Sequence, residues 1–426
     1  MDPKQLIKVN SNLMKILLVI TLLISATAMN GQTNNSPYSI IGIGDIEDNY
    51  FNRTSGLSNT GIAYRSNRNL INNNPASFSA LDNQFFVGEI GTRGKYTGYY
   101  GTPIDPLNNN STDITFKRFV IGTKVTRHLG TSVGLVPYSS ENYEFNAPQP
   151  VLGTNGETAN SYSQGFGGLH RVFMANSYEF FNHLSLGIDA SYLFGSISQK
   201  TILQSTNSYI STNKSTDYGN LYFDYGLQYY GKLNKKWDFS IGATFANKTD
   251  LYPQYSIIIL AADSSQLYNQ PQLQHNFSLP VSYGVGISLT KNKKYTFVAD
   301  YKYQGWSALK YSGYNYSLQN SNRISAGFEV SKKKNIYNNF YETSYFQTGL
   351  YYSNSYLNVY GQQITDMGAT IGFGVNAKRS GLGYTFTLQY GIKGSQSNGL
   401  IQERYGSITI MLSYRDLWYT KGKVFY

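Results

Sequence analysis

The chain has 426 residues, a formal net charge of +11 and no cysteine. The lack of cysteine excludes a disulfide framework, a thiol nucleophile and a thiolate metal site. Much of the basic charge lies in short connecting segments, which favours solvated turns over a surface that binds nucleic acid.

The first 31 residues have the organisation of a secretory signal peptide. A lysine-containing segment precedes an apolar run at 16–24, and small residues follow it. The run is too short to span a bilayer as an anchoring helix. Cleavage after Ala28 and cleavage after Gly31 both fit the sequence, and Met14 also fits as the first residue. We therefore expect residues 1–31 to be removed from an exported chain.

Residues 32–83 differ from the rest of the mature chain. They contain many Asn, Ser and Gly, with scattered apolar residues such as Ile40, Leu57 and Ile62. No sustained periodicity predicts either a helix or a strand in this segment. We interpret it as a separate N-terminal unit.

From about residue 84 to residue 414, apolar residues recur at every second position. Leu184, Leu186 and Ile188, for example, alternate with Ser185 and Gly187. A period of two puts the apolar side chains on one face of a strand and the polar ones on the other. Strands are predicted at 84–100, 114–127, 129–146, 161–181, 183–203, 215–233, 235–252, 274–291, 293–307, 313–333, 341–354, 364–378, 381–394 and 402–416.

Composition and loop lengths favour a membrane barrel over a soluble sandwich. The chain has 40 Tyr and 23 Phe with a mean hydropathy of -0.36, which suits an apolar exterior, a polar interior and aromatic girdles at both rims. Connections after even-numbered strands are mostly short and those after odd-numbered strands longer, as in outer-membrane barrels with short periplasmic turns and periplasmic termini. The predicted fold is all-β: a transmembrane antiparallel barrel of about 14 strands, closed without edges.

A barrel of this size encloses more space than its inward side chains fill. We therefore expect residues 32–83 to form a hatch, or plug, inside the lumen of a barrel built from residues 84–426. Inward charges such as Asp189, Asp224, Asp300 and Lys302 are expected to brace or solvate that lumen.

Within the hatch, Asn74-Pro75-Ala76 resembles the NPA motif in the hatch of the long-chain fatty acid transporter family, the FadL-like proteins. Five further segments are similar in order to FadL-like proteins of Bacteroidota: 36–45, 301–309, 322–330, 349–374 and 401–418. The chain departs from the family in its longer, Asn-rich lead before the motif. The resemblance implies a fourteen-stranded barrel with an N-terminal hatch, and hydrophobic ligands that pass through a lateral opening in the wall.

The resemblance thus predicts passive uptake of hydrophobic, fatty-acid-like compounds through an internal apolar pocket, in an outer membrane of lipid and lipopolysaccharide. Asn74, Pro75, Ala76 and Phe78 are candidates for a gate, and the same motif also fits a tight turn that wedges the plug. An apolar patch expected in an outer loop is the candidate ligand-binding surface, although its residues equally fit a loop core. Its members are Tyr252, Tyr255, Ile257, Ile258, Ile259 and Leu260.

Two other classes of function were weighed. A non-transporting accessory subunit, docked in an outer-membrane secretion or barrel-assembly complex, would use the same aromatic loops and basic turns, and its partners would be other outer-membrane proteins. An enzyme is not expected, because the four histidines lack a helical HxxxH spacing or bracketing carboxylates. We expect no catalytic residue, metal or cofactor, and no nucleic-acid partner. The histidines are His128, His170, His183 and His275.

Overall fold

The computed structural model describes residues 36–101, 109–150, 158–205, 208–271, 277–313, 315–336, 339–377 and 381–417. The predicted signal peptide at 1–31 lies outside these residues, as do Lys378 and Arg379 of one predicted turn. Among the described residues, no helix has the length and apolar character needed to cross a membrane.

The described strands form the wall of a closed antiparallel barrel of fourteen strands. The fourteen strands follow in chain order, and three of them are interrupted and consist of two or three segments. They are β1 Phe85–Tyr100, β2 Asn110–Lys124, β3 Leu129–Pro137 with Ser139–Pro150, β4 Thr158–Phe180, β5 Leu184–Ser205, β6 Ser208–Lys232, β7 Trp237–Ala246 with Thr249–Leu260, β8 Gln266–Pro271 with Phe277–Leu279 and Ser282–Lys291, β9 Tyr295–Gln304, β10 Ser321–Ile336, β11 Asn339–Val359, β12 Gln362–Asn376, β13 Leu382–Lys393 and β14 Gln402–Leu417.

The first and last strands close the barrel. β1 pairs with β14 along its whole length, from Phe85 opposite Leu417 to Tyr100 opposite Gln402. The fold class and strand number predicted from the sequence are confirmed. The largest errors are at strand ends: β7 ends at 260 rather than 252, β8 begins at 266 rather than 274, and β10 begins at 321 rather than 313 because a small separate hairpin, Ser312–Gly313 with Tyr316–Leu318, precedes it.

The wall is apolar outside and polar inside. On β5, Leu186 and Ile188 are 42% and 41% exposed, whereas Ser185 and Asp189 are buried against the interior. The same alternation gives exposed Phe and Ile on β13 and β14 beside buried Thr and Ser. Hydrocarbon requires an apolar outer face, and a closed ladder leaves few unpaired backbone groups in it.

The N-terminal segment lies inside the barrel and carries little regular structure. Three short 3₁₀ helices, Pro37–Ile40, Arg53–Leu57 and Pro75–Ala80, and the two-residue strand Asp45–Ile46 are joined by turns. Nearly every residue from 51 to 64 is buried. Two further 3₁₀ helices, Trp306–Leu309 and Ser397–Gly399, lie in connections between strands.

Candidate functional site: the hatch, its contacts and a gap in the wall

Asn74 fixes the hatch to the wall through its side chain. It is fully buried, and its Oδ1 accepts a hydrogen bond from the Ala76 amide at 3.0 Å, which caps the helix Pro75–Ala80. Its Nδ2 donates to the carbonyl oxygens of Ile62, Leu227 and Ala243 at 2.9, 3.1 and 3.2 Å. Leu227 and Ala243 belong to β6 and β7, so one amide joins two turns of the hatch to two wall strands.

Two wall glycines make room for this element. Gly187 and Gly226 face each other across β5 and β6. A Cβ atom on Gly187 would lie 2.3 Å from the Ala76 amide nitrogen, and one on Gly226 would lie 2.0 Å from Asn74 Oδ1. Only glycine allows the backbone of the hatch to approach the wall this closely. The two residues form a glycine slot that receives the Asn74-Pro75-Ala76 element.

Phe78 lies on the far side of the same helix. It is 1% exposed and packs in an apolar cluster made by the hatch and strands β1 to β4. The other members are Leu70, Leu81, Val87, Val120, Val136, Phe173 and Ala175. The four predicted gate residues are therefore packed between the glycine slot on one side and the apolar cluster on the other. Their opening as a gate stays a prediction.

Arg53 forms a buried ion cluster with two wall carboxylates. Its Nη2 lies 2.8 Å from Glu329 Oε1 and its Nη1 lies 2.6 Å from Glu342 Oε1. The Tyr64 hydroxyl donates to Glu329, and the Arg53 guanidinium stacks 3.9 Å from the centroid of the Tyr345 ring. Because all these groups are buried, the hatch is tied to β10 and β11 by charges that are largely shielded from bulk water.

A second pair holds the hatch backbone from the opposite side. Arg118 on β2 and Glu89 on β1 are both fully buried and lie 2.7 Å apart. Arg118 also donates to the carbonyls of Tyr50 and Leu70, and Glu89 accepts from the Leu70 amide.

Asp300, on β9, binds another part of the hatch backbone. Its Oδ2 accepts from the amides of Gly61 and Ile62 at 2.7 and 3.0 Å, which agrees with the expectation that this inward charge braces the lumen.

Glu47 links the N-terminal part of the hatch to the wall. Its Oε2 lies 3.3 Å from both Arg93 Nη1 and Lys117 Nζ. Burial alone would raise the pKa of the Glu47 carboxyl, but the two cations outweigh it and hold this pKa below its ordinary value of 4.5. The carboxylate is therefore charged at neutral pH.

The wall has a gap between β2 and β3. The two strands pair only from Phe119 opposite Leu135 to Lys124 opposite Gly130. From Ser139 onward, the second segment of β3 pairs with β4 and has no pairing with β2 among the described residues. Its free edge is taken by the hatch instead, with Asp45 opposite Ser140 and Ile46 opposite Ser139. The gap is thus closed from inside by a short strand of the hatch.

Two cavities around the hatch have linings of mixed polar and apolar character with several charged side chains. One of about 210 Å³ has Asp45, Arg93, Asp366 and Lys393 in its lining. A larger one of about 800 Å³ lies at the end of the barrel that carries the short turns and has several arginines and lysines in its lining. The buried apolar side chains near Ile43 are packed against one another, as Trp306 and Tyr356 show with stacked rings 4.5 Å apart. The expected internal apolar pocket for a ligand stays a prediction.

The predicted ligand patch is a strand rather than a loop. Residues Tyr252 to Leu260 pair with Gly219 to Ser211 of β6 and, beyond Ser256, with β8. Tyr252 is 59% exposed, and Ile257, Ile258, Ile259 and Leu260 are half-buried. The strand continues past its predicted end because these residues pair with β6 on one side and, from Ser256 onward, with β8 on the other. Binding of a ligand by these residues stays a prediction.

Sequence reasoning missed the residues that hold the hatch most firmly. Arg53, Glu329 and Glu342 are far apart in the chain, and no local pattern distinguishes them from solvated charges. The available signal was a glutamate at an inward position within the otherwise apolar and small-residue stretch 324–330, as at Glu329. Such a residue calls for a cation across the lumen.

Comparisons with known proteins agree with this architecture. A protein family described as BamG matches residues 13–424, whereas no curated protein sequence matches the chain. Among solved structures, the toluene transporter TbuX of Ralstonia pickettii is similar at 16% identity, with 80% of this chain and 92% of that chain covered and a TM-score of 0.54. The toluene transporter TodX of Pseudomonas putida is similar at 14% identity, with 89% and 100% covered and a TM-score of 0.55.

A FadL homologue of Pseudomonas aeruginosa is also similar, at 11% identity, with 86% of this chain and 98% of that chain covered and a TM-score of 0.56. At these identities the likeness concerns the fold. It confirms the FadL-like architecture predicted from the Asn74-Pro75-Ala76 element and the segments that accompany it, and the Bacteroidota origin stays a prediction.

Proposed function

The chain belongs to the BamG family, and from its FadL-like fold we propose that it is an outer-membrane barrel for passive uptake of hydrophobic compounds. The short turns and both termini face the periplasm, after removal of a signal peptide at 1–31. Residues 32–83 act as the hatch of the barrel formed by 84–426. No catalytic step and no cofactor take part.

The observation that carries this proposal is the gap between β2 and β3. A hydrophobic molecule that enters from the outer end can leave sideways into lipid only where the hydrogen-bonded pairing between wall strands is interrupted. Here the interruption is covered by Asp45 and Ile46, which pair with the edge of β3. A shift of this short strand would open the gap, and the concentration gradient would drive the flux. Support also comes from TbuX and TodX, which are described as toluene transporters and share the fold.

A disulfide tests this route directly, because the chain has no cysteine of its own. Cross-strand partners in antiparallel sheets lie within disulfide reach, so an Ile46→Cys/Ser139→Cys variant can lock the hatch strand over the gap. The matched control is Ile371→Cys/Leu388→Cys, a directly paired and lipid-facing couple on β12 and β13. The readout is the rate of uptake of radiolabelled oleate and of toluene by cells that lack other FadL-like proteins.

We expect oxidation to abolish uptake in the locked variant, reduction to restore it, and the control pair to have no effect. Uptake at the wild-type rate with the disulfide formed would contradict the lateral route. No uptake above that of empty cells, by correctly folded wild-type protein, would contradict transport itself.

A second candidate is a non-transporting docking subunit of an outer-membrane secretion or barrel-assembly complex. It is consistent with the buried ion pairs that fix the hatch at Arg53 and Arg118. Purification from native membranes in mild detergent, with mass spectrometry of proteins and extracted small molecules, separates the two. A lone barrel with enriched hydrophobic compounds supports uptake, and stoichiometric partner proteins without such compounds support docking.

A further inference from the structure

Three neighbouring segments at one end of the barrel, two turns with their flanking residues and the last part of β10, carry a dense group of lysines, which we call the basic arc. Within residues 232–238, 291–294 and 331–334 the only acidic residue is Asp238. All nine lysines of these ranges are exposed. The basic arc consists of Lys232, Lys235, Lys236, Lys291, Lys293, Lys294, Lys332, Lys333 and Lys334.

The three segments are adjacent in space as well as alike in composition. Lys291 lies opposite Trp237 in the β7/β8 ladder, and the Asn292 amide donates to the Lys236 carbonyl at 2.7 Å. The Ser331 amide in turn donates to the Lys294 carbonyl at 2.8 Å. The arc spans four strand spacings of roughly 4.8 Å, or about 20 Å along the rim. That is the length of about six residues of extended chain.

Behind the arc, the lumen opens into the cavity of about 800 Å³, whose lining includes Lys232, Lys293 and Lys333 of the arc together with Arg65 and Arg68 of the hatch. This concave space lies under the hatch and faces the solvent at the barrel end. The basic arc is therefore the rim of a cavity rather than a flat surface.

Two arginines line the cavity, and the groups that contact their guanidiniums directly are uncharged, while the Glu179 carboxylate acts on Arg65 only from a distance. Arg65 donates to Gln228 Oε1 at 2.9 Å and to Ser79 Oγ at 3.2 Å, and it stacks 3.7 Å from the centroid of the Tyr230 ring. Arg68 stacks 4.6 Å from the centroid of the Tyr341 ring. These partners are uncharged and hold the guanidinium groups in fixed planes, which suits recognition of carboxylates.

The acidic groups of the same lining are mostly engaged by other cations. Glu329 and Glu342 pair with Arg53, and Asp82 pairs with Arg415. Asp238 is the remaining acidic residue of the lining. The cavity and its rim therefore present a net positive surface.

We propose that the basic arc and the cavity behind it bind an acidic, extended segment of a partner protein. A segment of six to eight residues would follow the rim with its carboxylates on the lysines and could reach Arg65 and Arg68 inside. Anionic lipid headgroups fit less well, because they contact the outer face of the wall whereas Arg65 and Arg68 line the lumen. The inference rests on the proposed function only for the orientation that puts this end in the periplasm, and it holds whether or not the barrel transports.

The test is binding of a fluorescein-labelled decapeptide of alternating Asp and Ser to the full-length protein in detergent, followed by fluorescence polarisation. The arc variant is Lys235→Gln/Lys293→Gln/Lys333→Gln, with one lysine removed from each of the three segments of the basic arc. A charge-preserving variant replaces the same three lysines by arginine. The matched control is Lys200→Gln/Lys214→Gln/Lys310→Gln, which removes equal charge at the opposite end of the barrel. A slower mobility after boiling verifies that each variant is folded.

We expect the arc variant to bind the peptide at least tenfold more weakly, and the arginine variant and the distant control to bind as the wild type does. An Arg68→Gln variant is expected to weaken binding further, and raised salt to weaken it in all proteins. Equal losses in the arc variant and the distant control would overturn the proposal, since non-specific attraction would explain them. Binding to vesicles that contain phosphatidylglycerol is measured for the same variants. The proposal would also be overturned if the arc variant bound these vesicles more weakly but bound the peptide as the wild type does. Because binding in detergent requires no flux, these outcomes are independent of the uptake test.

Discussion

At the scale of single residues, the buried charges that hold the hatch determine its stability. Replacing Arg53 by Met would leave Glu329 and Glu342 buried without their cation. Breaking a buried pair from one side costs about 3–5 kcal/mol, so we expect the variant to unfold at a clearly lower urea concentration than the wild type. The measurement is the loss of the fast-migrating, unboiled gel band as urea increases. Arg404→Met, at an exposed position of β14, is the control, and an equal shift in both variants would contradict the role of the cluster.

Glu47 gives the same region a defined pH dependence. Its pKa is lower in the folded protein than the ordinary value of 4.5, so its contribution to stability is present above pH 4.5 and is lost as the pH falls through the folded value. We expect Glu47→Gln to be less stable than the wild type at pH 7 and to approach it in the acidic range. Urea midpoints measured from pH 3 to pH 7 test this, and a constant difference across that range would contradict it.

At the scale of elements, the helix Pro75–Ala80 and strands β5 and β6 fit together only through the glycine slot. Gly226→Ala would put a Cβ atom 2.0 Å from Asn74 Oδ1, which forces the hatch helix away from the wall. Overpacking of this kind costs about 1–3 kcal/mol. We expect the hatch of this variant to be cleaved faster by protease while the barrel stays intact. Gly406→Ala is the control, since a Cβ atom there would have no neighbour within 4 Å, and equal cleavage rates would contradict the slot.

At the scale of the whole molecule, closure between β1 and β14 makes the barrel a single cooperative sheet. We expect the mature protein to need detergent for solubility and to migrate differently before and after boiling, because the closed ladder resists unfolding by detergent alone. Gel electrophoresis of both samples is the measurement. Unchanged mobility, together with solubility in plain buffer, would contradict a membrane barrel.

The sequence by itself determined the strands, their number and the two faces of the wall. Each of these follows from a local period of two, as in Leu184, Leu186 and Ile188, and the outward position of these residues follows once the lumen is polar. It also set residues 32–83 apart from the wall, because they show no sustained periodicity. These features depend on neighbours in the chain, which a sequence displays directly.

Only the tertiary structure decided how the hatch is held and where the wall is open. Arg53 and Glu329 are 276 positions apart, and the partner of the free edge of β3 is a two-residue strand from the hatch that has no periodicity of its own. The strand character of Tyr252 to Leu260 was also missed, because it depends on pairing with an extended β6. The three lysine-rich segments of the basic arc are adjacent because of the register in which β6 to β10 pair. This pairing brings together residues that are up to about 100 positions apart in the chain. Such contacts arise from barrel closure, and no local pattern encodes them.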